Sequence, residues 1–488
     1  MCAKNAATPT LEVIVLAAGL GTRMKSKTPK VLHQICDTPM LALLLEELEK
    51  AFELSSSIAT VTRLNLVVGH GHEKVRDLIH SLQKKNIIKT PVVFSHQENQ
   101  LGTGHAVSVA LKTVKHLRLP PTNTVAVLNG DLPLFTAQAL NTFLEIHFRK
   151  KSWASCASTI LKNPGKYGRI LRKGKEFVGI VEFKDASLKQ LKIREINGGI
   201  YLFKQEVLEA AKWSNANQAQ EYYLTSIFSQ VRKQKKPAYA LCFENPELLL
   251  GVNTMAELAE AQYLLYQKTA QKWMEQGVFI ADPRHTYIGP KVKISVDCRI
   301  EPFTKLSGET TLQDGAQIGL HCDLKNVTID TQTQIRNGTV AEDAAIGSNC
   351  IVGPMAHLRP GTKIADHARV GNFVEIKSST IGSHTNAAHL SYIGDAEIGS
   401  NVNVGCGFIT CNYDGIIRDG QRKHKTKIGN QVFIGSDVQL VAPIEITDGT
   451  YIASGSTVTE SVKEPDCLVV ARSRQVTKTG YAKKYRTK

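Results

Sequence analysis

With 488 residues, of which 42% are hydrophobic and 21% charged, the chain is long enough for two domains with filled cores, and its composition excludes a disordered protein. A formal net charge of +16 suits nucleic acid, an anionic membrane or small polyanions, but much of the excess is local, since Arg472 to Lys488 holds seven basic residues and no acidic one. The ten cysteines are scattered, without Cys-x-x-Cys pairs or zinc-type histidine spacing, which argues against a disulfide framework or structural metal and for a reducing compartment.

No run reaches the ~20 apolar residues of a membrane span, and Glu12 interrupts the N-terminal apolar run that would otherwise resemble a secretory signal. No basic stripe interleaved with aromatics occurs outside the tail, so the tail reads as a solvated end and nucleic acid is not an expected partner.

From Leu11 to about Val252, strand-like apolar runs alternate with helical stretches, as in Leu64–Val68 after Met40–Glu53 and Thr124–Leu128 after Gly104–His116. That alternation predicts an α/β domain with a parallel sheet, whose ligands bind at the carboxyl ends of the strands. The first strand runs into Leu16-Ala17-Ala18-Gly19-Leu20-Gly21, where small side chains let backbone amides approach a phosphate chain. Met24 stands where a dinucleotide fingerprint needs glycine, and no Gly-Lys-Ser/Thr follows as a Walker loop requires. Arg23 and Lys30 follow instead, two cations placed to meet a triphosphate.

Two further loops follow strands. Gln97-Glu-Asn-Gln-Leu-Gly-Thr-Gly-His-Ala106 offers glutamine amides for a pyrimidine edge and a flat Gly102-Thr103-Gly104 backbone; a plain loop before a helix is the bland reading. Asp131, immediately after the buried run Val127-Leu-Asn-Gly130, occupies an expensive position for a carboxylate unless it binds a cation; Mg²⁺ held by one or two protein oxygens and substrate phosphates fits, with Asn253 as second oxygen ligand.

Leu-Ala-Ala-Gly-x-Gly-Thr-Arg-Met followed by Pro-Lys-Val-Leu-His resembles the signature of the sugar-nucleotide pyrophosphorylases, which join a nucleoside triphosphate to a sugar 1-phosphate. The resemblance implies nucleotide binding by Leu16, Ala17, Ala18, Gly19, Lys30, Asn129, Gly130 and Asn253, and uracil binding by Gln97, Gly102 and Thr103. Lys166-Tyr-Gly-Arg169, Ile180-Val-Glu-Phe-Lys-Asp185 and Glu195-Ile-Asn-Gly-Gly-Ile-Tyr201 resemble the sugar-binding segments, which carries the sugar contacts to Gly168, Glu182 and Asn197. Two departures stand out: Asn129 replaces the more usual Tyr, and Gly198 the usual Thr. In-line attack on the α-phosphorus of UTP brings anions together, so the catalyst needs charge neutralisation more than a proton acceptor, and Arg23, Lys30 and a metal on Asp131 and Asn253 supply it.

Thr254-Met-Ala-Glu257 is a capping box, and apolar residues recur at helical spacing after it, which predicts a helical linker over 256–276 between a first domain, 1–255, and a second, 277–488. In the second, Ile346, Val352, Leu358, Ile364, Val370 and Ile376 fall six apart, as do Ile428, Ile434, Leu440, Ile446, Ile452 and Val458. A period of six predicts short strands stacked into a parallel β-helix. Such repeats resemble the left-handed β-helix acyltransferases, usually trimers with active sites between subunits.

Within the repeats, Arg359, Lys377 and Tyr392 suit a sugar phosphate, and His389 is a candidate base for acetyl transfer to an amine. His-Leu-Arg-Pro-Gly (357–361), Val-Gly-Asn-Phe-Val-Glu-Ile-Lys (370–377), His-Leu-Ser-Tyr-Ile-Gly-Asp-Ala-Glu-Ile-Gly (389–399) and Thr-Cys-Asn-Tyr-Asp-Gly (410–415), behind the first set, resemble the bifunctional bacterial UDP-N-acetylglucosamine pyrophosphorylases/glucosamine-1-phosphate N-acetyltransferases. That resemblance implies glucosamine 1-phosphate on Arg359, Lys377, Tyr392 and Asn403, His389 as base, Asn412 and Tyr413 completing the sugar site, and acetyl-CoA at Cys406, Ser436, Ser454 and Arg472. Cys406 and Ser454 stand where alanine is usual, and the loop Ile416–Arg422 is longer than the family's, with Lys423 aligning to its lysine. The expected protein is a cytoplasmic homotrimer with Mg²⁺ as cofactor that acetylates glucosamine 1-phosphate with acetyl-CoA and couples N-acetylglucosamine 1-phosphate to UTP; the alternative is a monofunctional pyrophosphorylase with a structural β-helix.

Overall fold

A computed structural model describes residues 8–19, 21–213, 221–417 and 420–486. Leu20 of the glycine loop, Lys4, Arg418 and Asp419 of the long loop, and Lys488 of the tail lie outside the described residues. The chain divides into two compact units, Met1–Tyr263 and Leu264–Lys488, and the division falls inside the helix Met255–Glu275.

In the first unit the main path of the sheet runs Ala238–Phe243, Ala154–Ile160, Glu195–Lys204, Thr124–Asn129, Thr10–Leu16, Thr60–Val68, Val92–His96. The strands beginning at Thr10, Thr60, Val92 and Thr124 pair in parallel, and Ala238–Phe243 pairs in parallel with Ala154–Ile160. On this path Glu195–Lys204 runs antiparallel to both neighbours. The physical reason is its approach: the chain reaches it through the hairpin Arg169–Lys173/Glu176–Val181 rather than through a crossover helix, and a parallel partner requires the latter. Amphipathic helices, among them Met40–Leu54, Thr103–His116 and Ala137–Arg149, bury one face on the sheet. Thr10–Leu16 lies between Thr60–Val68 and Thr124–Asn129, so the strand order reverses there and a crevice opens beyond its carboxyl end.

The second unit is a left-handed β-helix. Strands of mostly two or three residues pair in parallel with those one coil further on, as Leu306 with Leu324 and Ile434 with Ile452. Coils are joined by hydrogen bonds spanning 17 or 18 residues. At the corners non-glycine residues adopt left-handed conformations, among them Met355 (φ 53°), Phe373 (φ 54°) and His367 (φ 59°). Every aliphatic residue of both six-residue series is buried, and together with their neighbours they form one continuous cluster along the axis. The strands Arg369–Lys377 and Asn386–Gly394, nine residues each, continue around a corner and pair along their length.

Candidate functional site

The crevice beyond Leu16 encloses about 340 Å³ and is lined by Leu16, Ala18, Gly19, Lys30, Gln97, Gly102, Thr103, Asn129, Asp131 and Asn253. A larger hollow, about 600 Å³, opens at the opposite end of the strands, between Thr124 and Lys204, away from every glycine loop. Lys30 Nζ bonds Asp131 Oδ2 and lies 2.6 Å from Asn253 Oδ1, which also accepts from Arg23 Nη2 at 2.7 Å. Asp131 Oδ1 is buried with no hydrogen-bond partner. Two oxygens from separate loops thus converge on a cation, and a third, unpaired one stands beside them.

At the cavity's other side Gln97 Nε2 lies 3.3 Å from the Gly102 carbonyl and 3.0 Å from His105 Nδ1. Gly102 has φ +97°, and a Cβ there would lie 2.7 Å from the Tyr222 carbonyl, so the turn that opens the helix Thr103–His116 requires glycine. Thr103 Oγ1 accepts from Leu224 N at 3.2 Å. Tyr222 and Leu224, inside the run Glu221-Tyr-Tyr-Leu-Thr225 that also matches the family, therefore build this wall.

The sugar-binding candidates adjoin one another. Asn197 N–H donates to the Gly168 carbonyl at 2.9 Å, and Asn197 Nδ2 to the Tyr201 hydroxyl at 2.7 Å. Glu182 Oε1 accepts from Thr225 Oγ1 at 2.8 Å, and burial raises the Glu182 pKa above the ordinary carboxylate value against the pull of that bond. A Cβ on Gly168 would lie 3.1 Å from Glu182 Oε2. The departure at Gly198 has a local cause: a Cβ there would lie 2.5 Å from Cδ1 of the fully buried Leu249, leaving no room for threonine. Tyr167 was missed as a site residue; its hydroxyl accepts from Gly251 N at 3.0 Å and ties the sugar segment to the loop bearing Asn253.

In the β-helix, Arg359, Lys377, Tyr392 and Asn412 gather on one side. Arg359 Nη1 bonds Glu375 Oε1 at 2.9 Å, and Glu375 pairs in register with Tyr392. Lys377 Nζ lies 3.2 Å from both carboxylate oxygens of Asp395, which also accepts from Asn412 Nδ2. The Tyr392 hydroxyl is 3.4 Å from Asn412 Nδ2, and a Cβ on Gly394 would lie 2.5 Å from that hydroxyl. Asp395 was not singled out; its only sequence signal is its place in the quoted Tyr-Ile-Gly-Asp run. His389 is exposed and stands in register with Asn372. Tyr413 is exposed, with Lys423 Nζ 4.3 Å from its ring centroid.

Asn403 is not part of this gathering within one chain; it pairs in register with Asn386 and Phe433 on another face. The four acetyl-CoA candidates form a column of their own. Val404 pairs with Ile434 and Ile434 with Ile452, which sets Cys406, Ser436 and Ser454 on successive coils; Ser454 Oγ accepts from Ser436 N at 3.1 Å and its carbonyl from Arg472 Nη1 at 2.9 Å. The described cysteines carry free thiols, and Cys406 is exposed. Among the described residues no helix is long and apolar enough to cross a membrane.

A family model described as MobA-like NTP transferase domain matches residues 13–174, and one described as bacterial transferase hexapeptide (six repeats) matches 343–378 and 425–460. Over 474 residues the chain is 40% identical to the bifunctional protein GlmU of Clostridium novyi, covering 96% of this chain and 98% of that one. The GlmU proteins of Bdellovibrio bacteriovorus (40% over 477 residues, 97% and 98% covered) and of a Geobacillus strain (40% over 471 residues, 96% of each) are similarly close.

Proposed function

The chain belongs to the family of the bifunctional GlmU proteins, and on that premise we propose that its two units carry out successive transfers: acetyl from acetyl-CoA to glucosamine 1-phosphate, then uridylyl from UTP to N-acetylglucosamine 1-phosphate. The observation that carries the second step is the convergence of Lys30 and Arg23 on Asp131 and Asn253 at the strand-order reversal. Arg23 and Lys30 neutralise the triphosphate, the glycine loop lends its amides to it, and Gln97 with the Gly102-Thr103 backbone holds uracil. Gly168, Glu182 and Asn197 orient the sugar so that its phosphate oxygen faces the α-phosphorus. The new P–O bond forms as the bond to pyrophosphate breaks.

The donor set fits a hard divalent cation: Asp131 Oδ1 is buried and unpaired, and the neighbouring oxygens already face an ammonium group. Mg²⁺ held by Asp131 and Asn253 would supply charge neutralisation at the α-phosphate and the departing pyrophosphate.

In the first step Arg359 and Lys377 anchor the sugar phosphate while Tyr392 and Asn412 donate to its hydroxyls. Asp395 holds both Lys377 and Asn412 in place. His389 takes the proton as the amine attacks the thioester; the N–C bond forms, the C–S bond breaks, and the imidazolium passes the proton to the departing sulfur, so that CoA leaves as the thiol. Acetyl-CoA lies along Cys406, Ser436, Ser454 and Arg472. The working unit is a homotrimer, a reading supported by Asn403, which is exposed and pairs on a different face of the coil from Tyr392, where a neighbouring chain's site can use it. A cytoplasmic enzyme is the reading that UTP and acetyl-CoA as substrates support.

The test is CoA thiol release from acetyl-CoA and glucosamine 1-phosphate without UTP, wild type beside His389→Ala. The variant should lose about 10²- to 10⁴-fold in this rate and keep UDP-N-acetylglucosamine formation from N-acetylglucosamine 1-phosphate and UTP. No release from wild-type protein that performs the second reaction would leave the β-helix a scaffold.

A further inference from the structure

The three amides leading into Asn253 are each held by a different part of the first unit. Gly251 N–H donates to the Tyr167 hydroxyl at 3.0 Å, Val252 N–H to the Asp131 carbonyl at 3.0 Å, and Asn253 N–H to Glu257 Oε2 at 2.7 Å. Residues 250–253 lie in neither helix nor strand, so these bonds, rather than a backbone ladder, set the loop's conformation.

The third bond is the informative one. Thr254 Oγ1 accepts from Glu257 N at 3.2 Å, which is one half of a capping box at the start of the helix Met255–Glu275. In a complete box the carboxylate at the third helical position returns to the amide of the capping residue itself. Here Glu257 reaches one residue further back, to Asn253, the residue whose Oδ1 takes both Lys30 and Arg23. The same loop is fastened to Asp131 through Val252, so a shift of the Asn253 backbone alters the spacing between the two side chains that face the cation.

We propose that Glu257 is a positioning residue of the uridylyl-transfer site: by holding the Asn253 amide it sets Asn253 Oδ1 against Asp131 and thereby the affinity for the divalent ion. This rests on reading Asp131 and Asn253 as the metal-holding pair. Glu257 acts through Asn253, and its carboxylate serves as a hydrogen-bond acceptor, not as a charge.

The test is a titration of Mn²⁺, followed by electron paramagnetic resonance, into the full-length protein saturated with UDP-N-acetylglucosamine. Glu257→Ala should weaken Mn²⁺ binding by about tenfold, the low end of what losing a ligand's outer partner costs, and raise the half-saturating Mg²⁺ of uridylyl transfer. Glu257→Gln keeps an acceptor oxygen at the same reach and should bind Mn²⁺ as the wild type does. Thr254→Ala removes the other half of the cap and should leave Mn²⁺ binding unchanged. Should Glu257→Ala not fold, Glu257→Asp, one methylene short of Asn253, carries the same expectation. Wild-type binding in Glu257→Ala, or equal weakening in Thr254→Ala, would overturn the positioning role. Asp131→Asn separates the two levels: if it abolishes binding while Glu257→Ala does not, only the positioning role falls, and if it leaves binding intact the metal-holding pair falls with everything built on it.

Discussion

His147 shows how a residue with no part in either site shapes the protein's response to acid. It lies on the inner face of the helix Ala137–Arg149, 2% exposed, with Nδ1 2.8 Å from Ser155 Oγ. Burial, and secondarily the charge of Lys204, pushes its pKa down to about 4. The folded state therefore favours the neutral ring. The stability this contributes is complete above the unfolded value of 6.5 and is lost as pH falls toward 4, with an upper size of about 3 kcal/mol. In urea unfolding the gap between wild type and His147→Asn should be widest at pH 7 and close toward pH 4; a gap constant with pH would mean that proton uptake by this ring is not what weakens the fold. At the same scale, what the sequence revealed was residue type in context. Lys30, Asp131 and Asn253 could be read because a cation, a carboxylate and an amide after glycine-rich turns have few other uses. Tyr167 and Asp395 could not, because they act through hydrogen bonds to groups distant in the chain or on neighbouring coils, which leave no period behind, and Glu257 read only as the end of a capping box although its carboxylate turns to the Asn253 amide.

Among elements, the six-residue period was legible because each coil face buries one aliphatic side chain, and it holds only while coils are 18 residues long. Coils of 17 residues, from Ile364 to Ile381 and from Ile381 to Ile398, each shift the phase by one, and the excursion of 30 between Ser400 and Asn430 keeps the phase but interrupts the run. This is why the two series stop at Ile376 and resume at Ile428 although the β-helix continues between them. There the ladder also changes chemistry: Thr410 is buried in it, accepting from Gly394 N at 2.7 Å, and Gly394 in turn lies against the Tyr392 hydroxyl and Asn412. The β-helix stacks each coil only on its neighbours, so a defect is felt locally but has no remote compensation. Leu358, fully buried between Ala341 and Ile376, is a direct case. Leu358→Ala should cost about 2–5 kcal/mol, read as a lower guanidinium midpoint for the β-helix transition, and it should reduce acetyl transfer before uridylyl transfer because Arg359 is the next residue. Loss of both activities in parallel would contradict a local defect. The antiparallel strand Glu195–Lys204 was less legible, since alternating apolar runs carry no sign of direction.

For the molecule as a whole, the cores are separate. The apolar cluster of the β-helix begins at Ala270, and the two clusters flanking the first unit's sheet end at Ala240 and Leu249. Among the described residues, no buried apolar residue belongs to clusters of both units. The two reactions are also chemically separable, because N-acetylglucosamine 1-phosphate is a stable product that needs no covalent hold between them. Full-length Asp131→Asn and His389→Ala should each fail to convert glucosamine 1-phosphate, acetyl-CoA and UTP into UDP-N-acetylglucosamine. Mixed in equal amounts they should recover it, after a lag in which free N-acetylglucosamine 1-phosphate accumulates to a steady level. That lag follows from the second step's need to build up its substrate in solution, and added N-acetylglucosamine 1-phosphate should abolish it. If the mixture stays inactive while each variant keeps its remaining partial reaction, the intermediate does not pass through solution, and the two sites work as one despite their separate cores.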